Sequence, residues 1–263
     1  MRIGLCDSGL GGLTILRAVA RKLPAFDYRY VADTANLPYG DKSEGEVRAL
    51  TEAMVRELFA EDCGLVIVAC NTASAETVRY LQDTLLQVEF RDRRLLGVIV
   101  PTVEALVERG SERALLLATQ RTVDSGKYPR ELKKLGGAAP HLEAVALAEL
   151  VAHIEAGEIA VALDLASIAI ASRVGEIDTV ILGCTHYTEL KNGLRERFPE
   201  LSIISQDEVI PKKLDAYLSR HSDFAARLSQ GSGRHIRLTE PHERYEPIVA
   251  QLLHGTFLPN ADR

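Results

Sequence analysis

Short runs of β-branched and aliphatic residues alternate along this chain with segments whose apolar positions recur every three to four residues. The runs at 2–6, 28–32, 65–69, 95–100, 113–118, 180–183, 201–204 and 236–238 read as strands. Between them lie amphipathic helices. One is expected over 46–61, where Val47, Leu50, Met54, Val55, Leu58 and Phe59 fall on one face. Others are expected near 13–21, 102–108, 123–135, 159–174, 187–198, 208–218 and 243–253. This alternation predicts an α/β fold of parallel sheets joined by right-handed crossovers. No long linker or low-complexity stretch interrupts it, and the loosest segments are 228–234 and the tail after Phe257.

A weak internal repeat adds to this pattern. The segment from Gly64 to Ser74 (GLVIVACNTAS) aligns without a gap on that from Asp178 to Thr188 (DTVILGCTHYT), a shift of 114 residues. Val66, Ile67 and Cys70 match Val180, Ile181 and Cys184. Each segment is a strand whose carboxyl end carries a cysteine, followed by hydroxyl or amide residues and a helix. About the same shift carries Gly4–Ser8 onto the end of the 113–118 strand. The simplest reading is two similar α/β units, each with a thiol at a strand end.

Composition narrows the class without naming a function. The 263 residues suffice for two modest domains, and 46% hydrophobic with 26% charged residues is ordinary for a globular enzyme. No apolar run approaches the about 18 residues a membrane span needs. The N-terminus runs straight into a strand pattern and lacks the layout of a signal peptide, so a cytoplasmic location is expected. A net charge of −6 disfavours nucleic-acid binding and requires locally positive groups for an acidic substrate, which helix N-termini supply. The four cysteines, Cys6, Cys63, Cys70 and Cys184, form no C-x-x-C pair and no zinc-like spacing with histidine, so reduced thiols and no metal are expected. The Gly9–Gly12 turn matches neither G-x-G-x-x-G nor a P-loop.

Polar clusters fall where ligands bind in parallel sheets, outside the carboxyl ends of strands. They are Asp7-Ser8-Gly9, Asp33 with Pro38-Tyr39-Gly40, Cys70-Asn71-Thr72, Ala118-Thr119 with Thr122, and Cys184-Thr185-His186. A single such cluster reads as a helix cap; several converging on strand ends suggest a site. Two thiols facing each other suit one reaction in particular. Inverting a stereocentre next to a carboxylate requires removing a proton from one face and delivering one to the other. Cysteine starts near pH 8.5 and is lowered by a helix N-terminus or nearby donors. Asp7 could orient one thiol's proton and His186 the other's, although a hydrogen-bonded strand-end histidine reads as readily from His186 alone.

These segments, in this order and across about the first 190 residues, resemble the aspartate/glutamate racemase superfamily, and most closely the bacterial glutamate racemases. The resemblance implies two flavodoxin-like parallel-sheet domains with pseudo-twofold symmetry and the active site between them. The first is expected over 1–97 and 208–263, the second over 98–207. It implies Cys70 and Cys184 as proton donor/acceptors, assisted by Asp7 and His186. Ser8, Pro38, Tyr39, Gly40, Asn71, Thr72, Thr119, Thr185 and His186 would hold the amino and carboxylate groups of glutamate. A second-domain glutamate assists in the family and is placed at Glu155, with Glu149 as the competing alignment. No cofactor and a homodimer are implied. Ser205-Gln206-Asp207-Glu208 departs from the Ile-Asp-Ser/Pro-type segment often found there, which puts the late inter-domain contacts in doubt.

The implied function is cofactor-independent racemisation of L-glutamate to D-glutamate for peptidoglycan. The alternatives are an aspartate or other small-acid racemase or a decarboxylase relative on the same scaffold, or a non-catalytic binding protein. One-thiol relatives decarboxylate, so the presence of both cysteines argues against that branch.

Overall fold

In the computed structural model, which describes residues 1–136 and 139–253, the strands form two wholly parallel sheets. The first sheet contains β1 (Arg2–Asp7), β2 (Tyr28–Ala32), β3 (Cys63–Val68) and β4 (Arg94–Gly97), with β9 (Arg234–Leu238) on one edge. The second contains β5 (Arg113–Ala118), β6 (His141–Ala146), β7 (Thr179–Gly183) and β8 (Ser202–Ile204). Their orders are β4-β3-β1-β2-β9 and β6-β5-β7-β8. Leaving β9 aside, the two orders are the same, with β1, β2, β3 and β4 equivalent to β5, β6, β7 and β8. The register pairs Cys6 with Val68 in one sheet and Leu117 with Leu182 in the other.

This order positions a site. In each sheet the chain steps outward from its first strand, then crosses back to the other side of it. The crevice at such a reversal lies between β1 and β3, and again between β5 and β7. Asp7 and Ser8 come at the end of β1 and Cys70 just after β3; Thr119 follows β5 and Cys184 follows β7. The internal repeat therefore reflects equivalent places in two equivalent sheets.

β1, β3, β5 and β7 are interior strands and are buried almost throughout, as strands covered by helices on both faces must be. Ile3, Leu5, Leu65 and Ile67 face a core shared with the Leu13–Lys22 helix. Val66 and Val68 face the opposite core, built on Val47, Val55 and Leu58 of the Glu44–Ala60 helix. That helix starts at a capping box: Ser43 Oγ accepts from the Glu46 N–H at 3.3 Å, and Glu46 Oε2 accepts from the Ser43 N–H at 3.0 Å. The Gln206–Arg220 helix leaves β8 of the second sheet, yet Ile210, Leu214 and Leu218 lie in the first sheet's core. One helix thus ties the two sheets together.

The structure departs from the sequence pattern in four places. The strand expected over 95–100 ends at Gly97, and Ile99–Glu108 is helical, with Pro101 in the first turn where no N–H is required of it. The helix expected over 123–135 is two, Gln120–Asp124 and Lys127–Lys134, separated by Gly126 at φ +58°. The 187–198 helix begins as a 3-10 turn, His186–Leu190, before Lys191–Arg197. β6 had no counterpart in the pattern: it is an edge strand whose His141 and Glu143 interrupt any apolar run. The tail after Phe257 lies outside the described residues.

Candidate active site

The two sheets present their strand ends to one cavity of about 370 Å³. Cys70, Asn71 and Thr72 line it from β3, and Cys184, Thr185 and His186 from β7. Ser8 contributes from β1, Thr119 from β5, and Pro38, Tyr39 and Gly40 from the loop after β2. Glu155, at the end of the Glu149–Glu155 helix, also lines it. Asp7 lies behind this wall and is buried. The rest of the surface comes from Leu37, Asp41, Gln120, Ala148, Val151 and Ala152, which carry no sequence signal distinguishing them from ordinary loop and helix residues.

The first thiol sits at a helix start. Cys70 caps Asn71–Asp83, its sulfur accepting the Ala73 N–H at 3.4 Å. Ser8 Oγ lies 3.3 Å from Cys70 Sγ and 3.1 Å from Asp7 Oδ1. A hydroxyl has one proton to donate. When Ser8 gives it to Asp7, the serine oxygen is open to the Cys70 S–H; when Ser8 turns it to sulfur, it supports a thiolate. Asp7 thus reaches Cys70 through Ser8. Burial, then the Asp7 charge, push the Cys70 thiol up to about 12, against the Ala73 and Ser8 donors. Burial likewise raises the Asp7 carboxyl above its ordinary value.

The second thiol has a different neighbourhood. His186 Nδ1 is 3.8 Å from Cys184 Sγ, and His186 Nε2 is 3.0 Å from Glu155 Oε1. Burial opposes charging of the imidazole, but the hydrogen bonds with Cys184 and Glu155 outweigh it and hold His186 well above 6.5. Glu155 is lowered: burial opposes its charge, and His186 more than compensates. Glu149 is exposed at the opposite end of the same helix and does not line the cavity. The carboxylate in contact with the second site is therefore that of Glu155.

The cavity wall also carries threonine hydroxyls. Thr72 Oγ1 lies 3.0 Å from Thr119 Oγ1 and 3.3 Å from Thr122 Oγ1, joining the two sheets. Thr119 also caps the Gln120–Asp124 helix through the Thr122 N–H. Tyr39 donates to Asp33 Oδ2 at 2.6 Å, and Asp33 also accepts from Asn36 and Thr239. Asp33 thereby fixes the loop that brings Tyr39 and Gly40 to the cavity, and the Leu37–Pro38 peptide in that loop is cis.

The Gly9–Gly12 turn is close-packed against both thiol neighbourhoods. A Cβ on Gly12 would lie 2.5 Å from Asp7 Oδ2 and 2.7 Å from Tyr30 Oη. One on Gly11 would collide with Thr185 Oγ1 and approach His186 Nδ1 to 2.9 Å. Gly11 permits close approach to Thr185 and His186 after β7, and Gly12 to Asp7 and Tyr30 of the first sheet. Gly11→Ala is expected to cost about 1–3 kcal/mol of stability by overpacking and to lower turnover by displacing Thr185 and His186. Thermal melting and steady-state kinetics on the same preparation check both effects.

A family model described as Asp/Glu/Hydantoin racemase matches residues 12–210. The chain belongs to the Asp/Glu/hydantoin racemase family. Within that family it is 35% identical to the glutamate racemase of Paracoccus denitrificans, over 96% of this chain and 97% of that one. It is 38% identical to the glutamate racemase of Cereibacter sphaeroides, over 86% of this chain and 88% of the relative. Its fold is that of the glutamate racemase isoform RacE1 from Bacillus anthracis, with a TM-score of 0.85, 28% identity, and coverage of 96% of this chain and 94% of that one. The flavodoxin-like architecture of two matched parallel sheets is thus the racemase architecture. Among the described residues, no helix is long and apolar enough to cross a membrane.

Proposed function

We propose that this racemase-family chain interconverts L- and D-glutamate by a two-thiol acid/base mechanism, supplying D-glutamate for peptidoglycan. The observation that carries the proposal is the presence of Cys70 and Cys184, from equivalent strand ends of equivalent sheets, on one cavity. The similarity to glutamate racemases over 86% to 96% of the chain supports the choice of substrate.

In this mechanism the sulfur of one cysteine, as thiolate, takes the Cα proton and forms an S–H bond, leaving the electron pair delocalised into the carboxylate. The thiol of the other cysteine then donates its proton to the opposite face of Cα and becomes thiolate. The products are the inverted amino acid and an enzyme with its two protonation states exchanged. The reverse isomer enters that second form, and the roles reverse. The two sulfurs differ in their partners. Burial and the Asp7 charge favour the protonated form of Cys70, and Ser8, between Cys70 and Asp7, can donate to its thiolate. His186 supplies the cation that a negatively charged sulfur at Cys184 requires, and Glu155 holds His186 in place. The N–H groups opening the Asn71–Asp83 and Gln120–Asp124 helices, with Thr72, Thr119 and Thr185, offer donors to the substrate carboxylates. Ser8, Pro38, Tyr39 and Gly40 complete the enclosure.

The test of substrate is turnover of purified protein with L-glutamate and, separately, L-aspartate, without added cofactor, followed by chiral chromatography. Formation of D-glutamate with little D-aspartate supports the proposal. Turnover of aspartate alone would replace glutamate with the smaller acid. A homodimer belongs to the same reading, and light scattering at twice the mass of one chain is its expected result.

A further inference from the structure

The segment that departs from the family pattern packs against a residue of the site. Gln206, the first residue of Gln206–Arg220, is buried and pairs with Asn71 through two reciprocal amide hydrogen bonds. Asn71 Nδ2 donates to Gln206 Oε1 at 2.8 Å, and Gln206 Nε2 donates to Asn71 Oδ1 at 2.8 Å. Tyr128 Oη also donates to Asn71 Oδ1 at 2.8 Å. The second Gln206 N–H faces Tyr128 Oη at 3.3 Å and Thr102 Oγ1 at 3.5 Å.

An asparagine side chain has two acceptor lone pairs and two N–H donors. Here Tyr128 and Gln206 occupy both lone pairs, and Gln206 takes one N–H. A single N–H is all that Asn71 has left for the cavity it lines. A donor-only amide beside a helix N-terminus recognises an anion, not an ammonium group. Burial holds the Tyr128 phenol well above its usual pKa, so it remains a donor. Gln206 is itself held in place by its neighbours. Asp207 accepts from Lys191 at 2.6 Å, and Glu208 takes both guanidinium nitrogens of Arg195 at 2.8 Å, locking the helix start to Lys191–Arg197.

We infer that Gln206 is a positioning residue, which with Tyr128 fixes the Asn71 amide so that it offers only an N–H, and that this N–H binds a carboxylate of the substrate. The inference rests on the proposed function and deepens it by adding Gln206 and Tyr128 as the residues that orient Asn71.

The experiment is steady-state kinetics on L-glutamate for wild type, Gln206→Met, Asn71→Ala and the double variant, with thermal melting on each. Losing one charge-assisted hydrogen bond to a substrate raises KM about tenfold or more while kcat changes little. Gln206→Met is expected to show that split, and in the Asn71→Ala background it is expected to add no further rise, which a purely structural role would not produce. Tyr128→Phe is expected to give a smaller rise of the same kind. Gln206→Glu, which keeps the shape and loses the donor, carries the test if the methionine variant does not fold. An unchanged KM in active Gln206 variants, or independent, additive effects in the double variant, overturns this inference alone. A wild type that turns over no glutamate overturns the proposed function and this inference with it.

Discussion

Cys70→Ser and Cys184→Ser are each expected to lose racemisation by about 10³-fold or more, near the upper range for removing a positioned acid/base. Serine keeps the shape of cysteine, so the fold and the cavity persist. What is lost is a thiol, a far stronger acid than the serine hydroxyl that replaces it and, as thiolate, an accessible base. The two losses are expected to be similar, because in the proposed mechanism every turnover in either direction uses both sulfurs. A mechanism with one essential thiol would instead leave one of the variants close to wild type. Cys63→Ser is the control: Cys63 is buried in the first sheet beneath Leu58 and Gly4, away from the cavity. It is expected to lower the melting temperature while leaving turnover in place. Optical rotation or chiral chromatography, with melting curves on each variant, measures all three.

The second large effect concerns His186. The hydrogen bonds with Cys184 and Glu155 outweigh burial and raise its folded pKa above the ordinary value, so the imidazolium is favoured and is lost as pH rises through that raised value. The stability this group contributes has the same sign: present in full below 6.5, and lost as pH climbs past the folded pKa. His186→Asn is expected to reduce kcat by about 10²-fold. Glu155→Gln removes the charge that supports the cation while leaving a neutral acceptor in its place, and it is expected to move the alkaline limb of log kcat/KM to lower pH by about one unit or more. Glu149→Gln, at the exposed end of the same helix, is expected to leave the limb where it is. A pH–rate profile for wild type and both glutamine variants decides this. An unmoved limb in Glu155→Gln, or an equal shift in Glu149→Gln, would remove Glu155 from the role assigned to it.

Much of this was legible in the chain because the interior strands are buried on both faces and so appear as unbroken apolar runs. β1, β3, β5 and β7 could be seen, and with them the strand ends that carry Asp7, Cys70, Thr119 and Cys184. β6 could not, because an edge strand with His141 and Glu143 has no such signature. The break at Gly126 was hidden because the residues on either side keep helical spacing. Glu155 and Glu149 lie on one short helix, and sequence pattern alone does not choose between its ends; the contact with His186 does. Gln206 and Tyr128 were invisible as site residues for a different reason. They act through Asn71 across 135 and 57 positions of sequence, and no local pattern encodes such a contact. Ser205–Glu208 departs from the family pattern, but only the fold places Gln206 against Asn71.

The most direct test of the two-thiol account is the early-time isotope content of the product formed from L-glutamate in D₂O. The proton taken from one face stays on one sulfur, while the other sulfur delivers hydrogen already exchanged with solvent. The account therefore predicts that the first D-glutamate formed carries deuterium at Cα, while the remaining L-glutamate still carries protium. D-glutamate that retains protium at Cα in the first turnovers would show that a single group moves the proton between faces, and would contradict it.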